Sequence, residues 1–281
     1  MKERAYAKIN LALDVVRRRE DGYHELNMIM VPLNFYDVIE INVAEEMSMS
    51  TNMGFLPIDE RNTVIKAINV LRNEYGFTEN FEIKLSKHIP TQAGLAGGSA
   101  DGAAAIRILN KMLKLDMSDE KMNELAKQVG ADVPFCCLNK PAQVQGIGEI
   151  LEPFNVNTDF KVLLVKPRRG VSTKMAFARL NFETCEHPDV DGMKACLETA
   201  DYDGFISKLG NTLEEPSFEM VPQIAFIKDK MMQLGMDGAL MSGSGSTVFG
   251  ITRNETVIKE AMKYFRKQRY FVRETSLFPG K

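Results

Sequence analysis

The residues best suited to chemistry form a glycine-rich stretch, Gly94 to Ser99, that stands directly before an alanine-rich run. Ile106, Leu109 and Leu113 follow at helical spacing, so we predict that a helix begins here with Ser99 as its N-cap. A glycine-rich turn entering a helix brings unpaired backbone N–H groups and the positive end of the helix dipole to one point. The stretch therefore predicts an anion site, and phosphate is the anion that such turns usually hold.

Other phosphate-binding patterns do not fit this sequence. The glycine stretch lacks the Gly-Lys-Ser/Thr of a Walker A loop, and the chain has no His-Arg-Asp or Asp-Phe-Gly segment of a protein kinase. Gly146-Ile147-Gly148 lacks the third glycine of a dinucleotide-binding turn. A flexible loop before a surface helix stays open as the alternative for the stretch taken alone.

Length and composition limit the class of protein. A chain of 281 residues favours two domains, and a polar stretch at Asn155 to Asp159 predicts a boundary that separates residues 1–157 from residues 158–281. A hydrophobic content of 44% with 26% charged residues is typical of a soluble globular protein. The net charge of −3 supplies no global field for nucleic acid, so we expect no nucleic-acid partner.

The compartment is predicted from the cysteines and the apolar runs. The four cysteines, at positions 136, 137, 185 and 196, show no metal-ligand spacing, so we expect reduced thiols rather than a zinc site. No apolar run reaches bilayer length, and residues 1–10 are too charged for a secretory signal. We therefore expect a cytoplasmic protein without a membrane association.

The elements that must position the glycine stretch mix strands and helices without strict βαβ alternation, which predicts an α+β fold. In the first half we predict strands at residues 6–16, 28–33, 37–43, 47–50, 81–85 and 131–138, a bulged strand at 142–151, and helices at 62–75, from Ser99 to about 113, and from a cap at Ser118 to Gly130. In the second half we predict strands at 161–166, 239–241, 247–251 and 270–275, and helices at 203–209, 224–234, 255–266 and from Ser172 to about 180.

Four further motifs stand in order around the glycine stretch. They read Ala7-Lys8-Ile9-Asn10, Asp21-Gly22-Tyr23-His24, Gly130-Ala131-Asp132-Val133-Pro134 and Gly243-Ser244-Gly245-Ser246. With the glycine stretch, they resemble the GHMP family of small-molecule kinases in order and spacing from Ala7 to Phe249. The resemblance implies transfer of the γ-phosphate of ATP to an alcohol, with Mg²⁺ as cofactor. It also implies an N-terminal ATP-binding domain like domain 2 of ribosomal protein S5 and a ferredoxin-like C-terminal domain.

The resemblance assigns the catalytic roles to Lys8 and Asp132. Asp132 matches the aspartate that accepts the proton of the substrate hydroxyl, and Lys8 matches the lysine that offsets charge on the moving phosphoryl group. Without that context, Asp132 reads as a turn aspartate capping local backbone and Lys8 as an ordinary surface lysine.

The resemblance also assigns the nucleotide and metal contacts. The expected ATP-binding residues are Asn62, Pro90, Gly94, Leu95, Ala96, Gly97, Gly98, Ser99 and Ala100, and the Ser99 hydroxyl is the expected Mg²⁺ contact. Asn62 reads equally well as the N-cap of the helix that follows it.

The expected acceptor contacts lie in four places along the chain. They are Asn10, Tyr23, His24, Thr173, Phe177, Gly243 and Ser244, of which Tyr23 and His24 match contacts to a cytidine group. All but Thr173 have an alternative interpretation. In these alternatives, Asn10 is a strand residue facing solvent, Tyr23 and His24 are packing residues at a turn, Phe177 belongs to the core, and Gly243 and Ser244 form a simple tight turn. Arg17 to Arg19 reads as a solvated tip, or as a contact to an anionic diphosphate. We assign no role to His88 or His187.

Three positions depart from the family pattern. Tyr6 stands where proline is frequent, and Ala96 and Ala100 replace a glycine and a serine of the usual glycine loop. Ala96 is compatible with the loop if its φ is negative, whereas the missing hydroxyl at Ala100 weakens one metal or phosphate contact. Neither change touches Lys8 or Asp132, so we expect an active kinase.

Two alternatives to a cytidyl-linked acceptor stay open. One is a GHMP kinase for another alcohol, such as a sugar or mevalonate. The other is a non-catalytic relative that binds a nucleotide in regulation. In each case we expect a small-molecule ligand and a monomer or homodimer.

Overall fold

The computed structural model describes residues 1–278, which contain both strands and helices and confirm the predicted α+β class. The strands are β1 (Lys2–Arg18), β2 (His24–Ala44), β3 (Ser48–Thr51), β4 (Asn80–Ser86), β5 (Ala142–Gly146), β6 (Ile150–Pro153), β7 (Lys161–Lys166), β8 (Gly210–Asn211), β9 (Gly238–Met241), β10 (Val248–Thr252) and β11 (Phe271–Thr275). The helices are α1 (Thr63–Tyr75), α2 (Gly97–Met112), α3 (Asp119–Val129), α4 (Val133–Leu138), α5 (Thr173–Ala178), α6 (Val190–Glu198), α7 (Tyr202–Ser207), α8 (Glu214–Met220), α9 (Gln223–Gln233) and α10 (Glu255–Lys267).

The described chain divides into two compact units, each built from several segments. The first unit consists of Met1–Ala7, Phe35–Pro90 and Ala96–Asn139. The second consists of Lys8–Asn34, Thr91–Leu95 and the chain from Lys140 onward. The segments alternate along the sequence because β1 and β2 each run through both units. The predicted boundary after residue 157 stays a prediction.

The first unit combines a small sheet with four helices. The second half of β2 pairs antiparallel with β4, from Val38 opposite Ser86 to Ala44 opposite Asn80, and β3 pairs parallel with β4. Helices α1 to α4 pack on one another through buried apolar faces, with α1 against α2 and α2 against α4. Burial of these faces stabilises the helices and gives α2 a fixed base.

The second unit contains a separate antiparallel sheet in the order β11-β7-β10-β9. Leu164 lies opposite Phe249 and Leu240 lies opposite Phe249 on its other side, and the side chains of β9 and β10 are buried. Helices α9 and α10 pack against this sheet. The same unit holds a parallel β1–β8 pair and the antiparallel β2–β5 pair. The connection from β9 to β10 carries the second glycine motif, so that motif rests on a buried sheet.

Four sequence predictions are wrong in local detail. Residues 28–33 and 37–43 belong to one strand, β2, rather than two. Pro32 has no N–H to donate, but its carbonyl accepts a hydrogen bond from the Phe278 N–H, and the Asn34 N–H donates to the Ser276 carbonyl. The strand therefore continues through the proline. Residues 142–151 form a β5–β6 hairpin rather than a bulged strand. Its turn uses Gly146 and Gly148, both at positive φ.

Residues 131–138 form helix α4 rather than a strand. A short apolar run does not distinguish a buried strand from a buried helix. Pro134 lies in the first turn of α4, where its missing N–H costs no hydrogen bond, and Asn139 ends the helix in the left-handed region. The sequence also gave no signal for α6, α8 or the two-residue strand β8.

Ser99 is not the N-cap of α2. The helix begins at Gly97, and the N-cap position is Ala96, whose φ of 54° and ψ of 29° place it in the left-handed region. The condition of negative φ for Ala96 is therefore not met. Its carbonyl accepts the first helical hydrogen bond, from Ala100 N–H at 2.8 Å. The helix therefore starts three residues earlier than the cap rule predicts, at a pair of glycines.

Within residues 1–278, no helix has the length and apolar character needed to cross a membrane.

We expect Ala96→Gly to stabilise the protein. A left-handed conformation costs an L-residue about 1–2 kcal/mol, and glycine returns about 0.5–1 kcal/mol of that through its freedom in the unfolded chain. The free energy of unfolding, measured by urea denaturation, should rise by roughly 0.5–1 kcal/mol. The matched control is Ala100→Gly, inside α2, which should lower it by about 1 kcal/mol. A loss of stability in Ala96→Gly would contradict the left-handed cap.

Candidate active site

The start of α2 presents backbone amides to solvent. Gly98 is exposed, and Gly97 and Ser99 are half-buried, so the tip of the helix is accessible. The first amides of a helix have no partner within that helix, and the helix dipole makes this end positive. Thr63 Oγ1 donates to the Gly98 carbonyl at 2.6 Å, which ties the tip to α1. This geometry suits a bound phosphate.

The segment before α2 is fixed in the second unit by the second glycine motif. Gly94 has a φ of 73°, and a Cβ placed on it would lie 1.9 Å from the Ser242 carbonyl oxygen. Ser242 Oγ donates to the Gly94 carbonyl at 2.9 Å, and Thr247 N–H donates to the Ala93 carbonyl at 3.2 Å. Glycine is required at position 94 because the two backbones touch.

The second glycine motif is itself held by buried polar groups. The Asn211 side-chain amide donates to the Met241 and Gly243 carbonyls, both at 2.8 Å. The Ser217 hydroxyl donates to the Ser244 carbonyl at 3.1 Å. These bonds leave the turn little freedom, and the predicted residues Thr173 and Ser244 meet through their hydroxyls at 2.8 Å.

Lys8 and Asn10 form a buried polar pair on β1. Lys8 is 4% exposed and Asn10 is fully buried, so neither is the solvent-facing strand residue of the alternative interpretation. Lys8 Nζ donates to Asn10 Oδ1 at 2.7 Å, and Lys8 N–H donates to the Leu95 carbonyl at 3.2 Å. A Cβ placed on Gly243 would lie 3.5 Å from Lys8 Nζ. The structure thus brings Lys8, Leu95 and Gly243 together.

An aromatic cluster surrounds His24. Its ring centroid lies 4.7 Å from that of Phe177 and 6.1 Å from that of Phe182, and the Phe182 ring is nearly parallel to it at 13°. Burial, and next the charge of Arg18, lower the pKa of His24, so the imidazole is neutral at pH 7. Tyr23 is 60% exposed beside the cluster. Flat aromatic rings can stack on a nucleobase, and a neutral imidazole offers it one hydrogen-bond donor and one acceptor.

Asp132 stands at the N-terminus of α4 and is half-buried. In the described part of the chain its carboxylate makes no capping hydrogen bond to α4, although its carbonyl accepts from Cys136 N–H at 3.1 Å. The turn-capping interpretation of Asp132 therefore does not apply to this helix.

Asn62 does act as a helix cap. Its Oδ1 accepts from Val64 N–H at 3.0 Å, and its Nδ2 donates to the Pro57 carbonyl at 2.8 Å. Both ends of the amide are engaged, which makes the capping alternative an observed feature of α1.

The arginine run lies at the β1–β2 turn and is paired there with carboxylates. Arg19 contacts Asp21 at 3.1 Å and Glu25 at 3.0 Å, and Arg17 lies 3.8 Å from Glu25. These pairs favour the solvated-tip interpretation.

A cavity of about 930 Å³ opens in the second unit without any of the predicted site residues in its lining. Two of its carboxylates are paired with lysines of the lining, Asp189 with Lys208 and Glu214 with Lys228.

His187 lines the same cavity and has partners that the sequence did not suggest. It contacts Asp14 at 2.6 Å and Cys185 at 3.6 Å. Burial, and next the Asp14 carboxylate, raise the pKa of the Cys185 thiol, so the thiol stays protonated and is a poor nucleophile.

The tip of α2 offers one hydroxyl for a magnesium ion whose other ligands would be phosphates and water. Among residues 1–278, no group of three His, Cys, Asp or Glu side chains is arranged to hold a metal. Kinase Mg²⁺ needs no such cage, because substrate phosphates and water supply most of its ligands. Ser99, half-buried in the first turn of α2, offers a hydroxyl beside the accessible amides.

Sequence reasoning missed several residues that shape these features. They are Phe182 beside His24, Ser242, Thr247, Asn211 and Ser217 around the second glycine motif, and Thr63 at the tip of α2. Serine, threonine and asparagine in loops carry no local signal of a partner so far away in sequence. Phe182 was the exception, since it lies five residues from Phe177 on the same segment.

Comparison with known proteins gives consistent matches. The family of GHMP kinases N terminal domains matches residues 62–140, and that of GHMP kinases C terminal domains matches residues 185–270. The 4-diphosphocytidyl-2-C-methyl-D-erythritol kinase of Bacillus subtilis (strain 168) is 40% identical over 276 residues, which cover 96% of each chain. The enzyme of that name from Enterococcus faecalis (strain ATCC 700802 / V583) is also 40% identical, over 96% of this chain and 98% of its own. A crystal structure of 4-(cytidine 5'-diphospho)-2C-methyl-D-erythritol kinase superposes with a TM-score of 0.83 at 28% identity, covering 100% of both chains.

We expect Gly94→Ala to destabilise the protein. The added methyl group would meet the Ser242 carbonyl, and position 94 would be a left-handed alanine. Together these effects should lower the free energy of unfolding by about 2–5 kcal/mol, measured by thermal or urea denaturation.

The control for that variant is Gly98→Ala. A Cβ there would have Thr63 Oγ1 as its nearest neighbour, at an ordinary contact distance of 3.6 Å, and alanine favours the helix. Its stability should equal or exceed that of the parent. Equal stability of the two variants would show that the contact between Gly94 and Ser242 does not constrain the loop.

Proposed function

The chain belongs to the GHMP kinase family, and we propose that it transfers the γ-phosphate of ATP to the 2-hydroxyl of 4-diphosphocytidyl-2-C-methyl-D-erythritol. The resemblance inferred from the motifs is thereby confirmed at the level of the family. The acceptor rests on relatives of that name at 40% identity over 96% of the chain. The observation in the structure that supports it is the cluster of the His24 ring with the rings of Phe177 and Phe182.

The acceptor site is proposed around that aromatic cluster. The cytosine ring stacks on Phe177 or Phe182, and neutral His24 donates or accepts one hydrogen bond at the base edge. Tyr23, exposed at the edge, packs beside the base. Thr173, Gly243 and Ser244 line the path of the polar chain of the acceptor. A single histidine with flanking aromatic rings favours a flat base over a sugar.

The nucleotide site is proposed at the tip of α2. The amides of residues 97–99 bind the phosphates of ATP, and the residues from Pro90 to Ala100 wrap around them. Asn62 borders the adenine through its backbone, because its side chain is engaged as the cap of α1. Mg²⁺ bound to the phosphates and Ser99 would neutralise the charge that develops during transfer.

The chemical step is proposed to use Asp132 and Lys8. Phosphoryl transfer asks the protein for positioning and charge stabilisation rather than covalent chemistry. Asp132 accepts the proton of the attacking hydroxyl, and Lys8, oriented by Asn10, stabilises charge on the transferring group. The cytoplasmic location and the monomeric or homodimeric state remain predictions from the sequence.

We expect Asp132→Ala to lower kcat by at least about 100-fold, which is the low end for loss of a proton-transfer group. The KM for ATP should change little, since the α2 amides are intact. A coupled ADP-release assay with the cytidyl-linked acceptor and Mg²⁺ measures both. Asp119→Ala, at the exposed start of α3, is the control and should keep full activity. If Asp132→Ala also keeps full activity, the proton-transfer role is wrong.

We expect His24→Ala to raise the KM for the cytidyl-linked acceptor by roughly 3- to 10-fold, from the loss of one aromatic contact and one hydrogen bond. The KM for ATP should stay unchanged. Phe226→Ala, an exposed aromatic on α9, is the control.

The same assay, run across a panel of alcohols, separates the remaining alternatives. Faster turnover of a sugar or mevalonate, unaffected by His24→Ala, would assign another acceptor. Nucleotide binding without ADP release from any acceptor would show a non-catalytic relative.

A further inference from the structure

A buried ionic cluster lies in the first unit, next to the start of α2. Lys87 Nζ pairs with Asp37 Oδ2 and, at 2.6 Å, with Asp101 Oδ2. The side chains of Lys87, Asp37 and Asp101 are 3%, 0% and 4% exposed. None of the three is among the predicted site residues. Charged side chains this deeply buried are rare unless they are paired.

The cluster is anchored firmly on the side of β4. Asp37 Oδ1 accepts from the backbone N–H groups of His88 and Ile89, the latter at 2.8 Å. Asn52 holds the Lys87 backbone at both polar groups, since its Oδ1 accepts from Lys87 N–H at 2.8 Å and its Nδ2 donates to the Lys87 carbonyl at 3.0 Å. The Lys87 ammonium therefore extends from a backbone segment that is fixed by side-chain hydrogen bonds.

The other side of the cluster is the first turn of α2. Asp101 is the fifth residue of that helix, which begins at Gly97. A Cβ placed on Gly97 would lie 3.2 Å from Lys87 Nζ and 2.9 Å from Ile89 Cγ2. The ammonium thus lies directly against the first helical residue while it bonds to the fifth. Through this bridge the end of β4 sets the position of the helix tip.

Stability alone is a poor explanation of the cluster. Replacing a buried ion pair by apolar residues of similar volume is often neutral or stabilising. Here two carboxylates share one ammonium, and Asp101 Oδ1 is buried without a hydrogen-bond partner among the described residues. Burial raises the pKa of Asp101, and the nearby charge of Asp37 raises it further, against the opposing effect of Lys87, so the charged form of Asp101 carries a desolvation cost. Because burial of these charges costs free energy, the cluster is better explained by a need to fix the position of the first turn of α2.

We propose that Asp37, Lys87 and Asp101 are positioning residues that hold the first-turn amides of α2 where they bind the nucleotide phosphates. The inference rests on the proposed use of ATP at that tip, but not on the identity of the acceptor. Phosphate binding by backbone amides depends on distance and direction, and displacement by about 1 Å can cost up to about 100-fold in activity. None of the three residues needs to touch the nucleotide for this role.

The test compares Asp101→Ala with Asp101→Asn. The asparagine carbonyl can still accept from Lys87 Nζ, whereas alanine breaks the bridge to α2. Calorimetry with ADP and with ATP, without acceptor, should give a Kd about tenfold or more higher for Asp101→Ala. For Asp101→Asn the Kd should lie within about threefold of the parent. In turnover, Asp101→Ala should raise the KM for ATP and leave the KM for the acceptor unchanged.

The control is Leu109→Ala, a buried apolar truncation farther along the same helix. It should lower thermal stability at least as much as Asp101→Ala and leave the Kd for ADP unchanged. An equal loss of affinity in Leu109→Ala, or parent-like affinity in Asp101→Ala, would overturn the proposal. Asp101→Ser, which leaves room for a water molecule, replaces Asp101→Ala if that variant does not accumulate in soluble form.

Hydrogen exchange of the nucleotide-free protein separates this proposal from the proposed function. The amides of residues 100–102, which follow the unpaired amides at the tip, should exchange faster in Asp101→Ala than in the parent and Leu109→Ala. If the parent binds neither ADP nor ATP, the proposed function fails while this readout still tests whether the cluster holds the turn. Unchanged exchange in Asp101→Ala would refute the positioning role by itself.

Discussion

Main-chain amides can bind a phosphate only where the backbone is bare, accessible and held in one place. Side chains would block the approach of a ligand to the backbone, so glycines suit the site. Because glycine also makes the backbone flexible, rigidity must come from the surroundings. In this chain the segments before and after Leu95 are held by different means. Gly94 is fixed in the second unit by the Ser242 hydroxyl and by backbone contact. The tip of α2 is fixed in the first unit by Thr63 and the Lys87 cluster.

The sequence predicted the long elements and the phosphate turn because their signals are local. The apolar period of α1, its cap at Asn62 and the Ser118 cap of α3 all appear in the structure, since each depends on residues within one or two turns. The strand predicted at residues 131–138 was wrong because a six-residue buried helix has too few turns to show a helical period. The predicted start of α2 was wrong because the N-cap rule ranks serine above alanine. This end of the helix has no side-chain cap and is fixed by tertiary contacts instead.

The site was predictable only as far as its residues lie in motifs. Lys8, Asn10, His24 and Asp132 were named from order and spacing along the chain. The groups that hold the second glycine motif and the tip of α2 were not named, because each pairs with a residue far away in sequence. Asn211 binds carbonyls 30 and 32 positions away, and Lys87 binds a carboxylate 50 positions away. No periodicity or turn rule carries that information, so it had to come from the fold.

Two unfavourable features coincide at the first turn of α2. Ala96 has a left-handed conformation, which costs an L-residue about 1–2 kcal/mol, and Asp101 is buried with one oxygen unpaired. Local costs of this kind persist where the surrounding structure over-determines the conformation, and they concentrate at functional sites. Glycine at position 96 would lower the first cost, and apolar residues in place of the whole Asp37–Lys87–Asp101 cluster would lower the second, without changing the apolar pattern of the helix. Both features lie within six residues and beside accessible amides. We therefore infer that they serve to hold this turn in position.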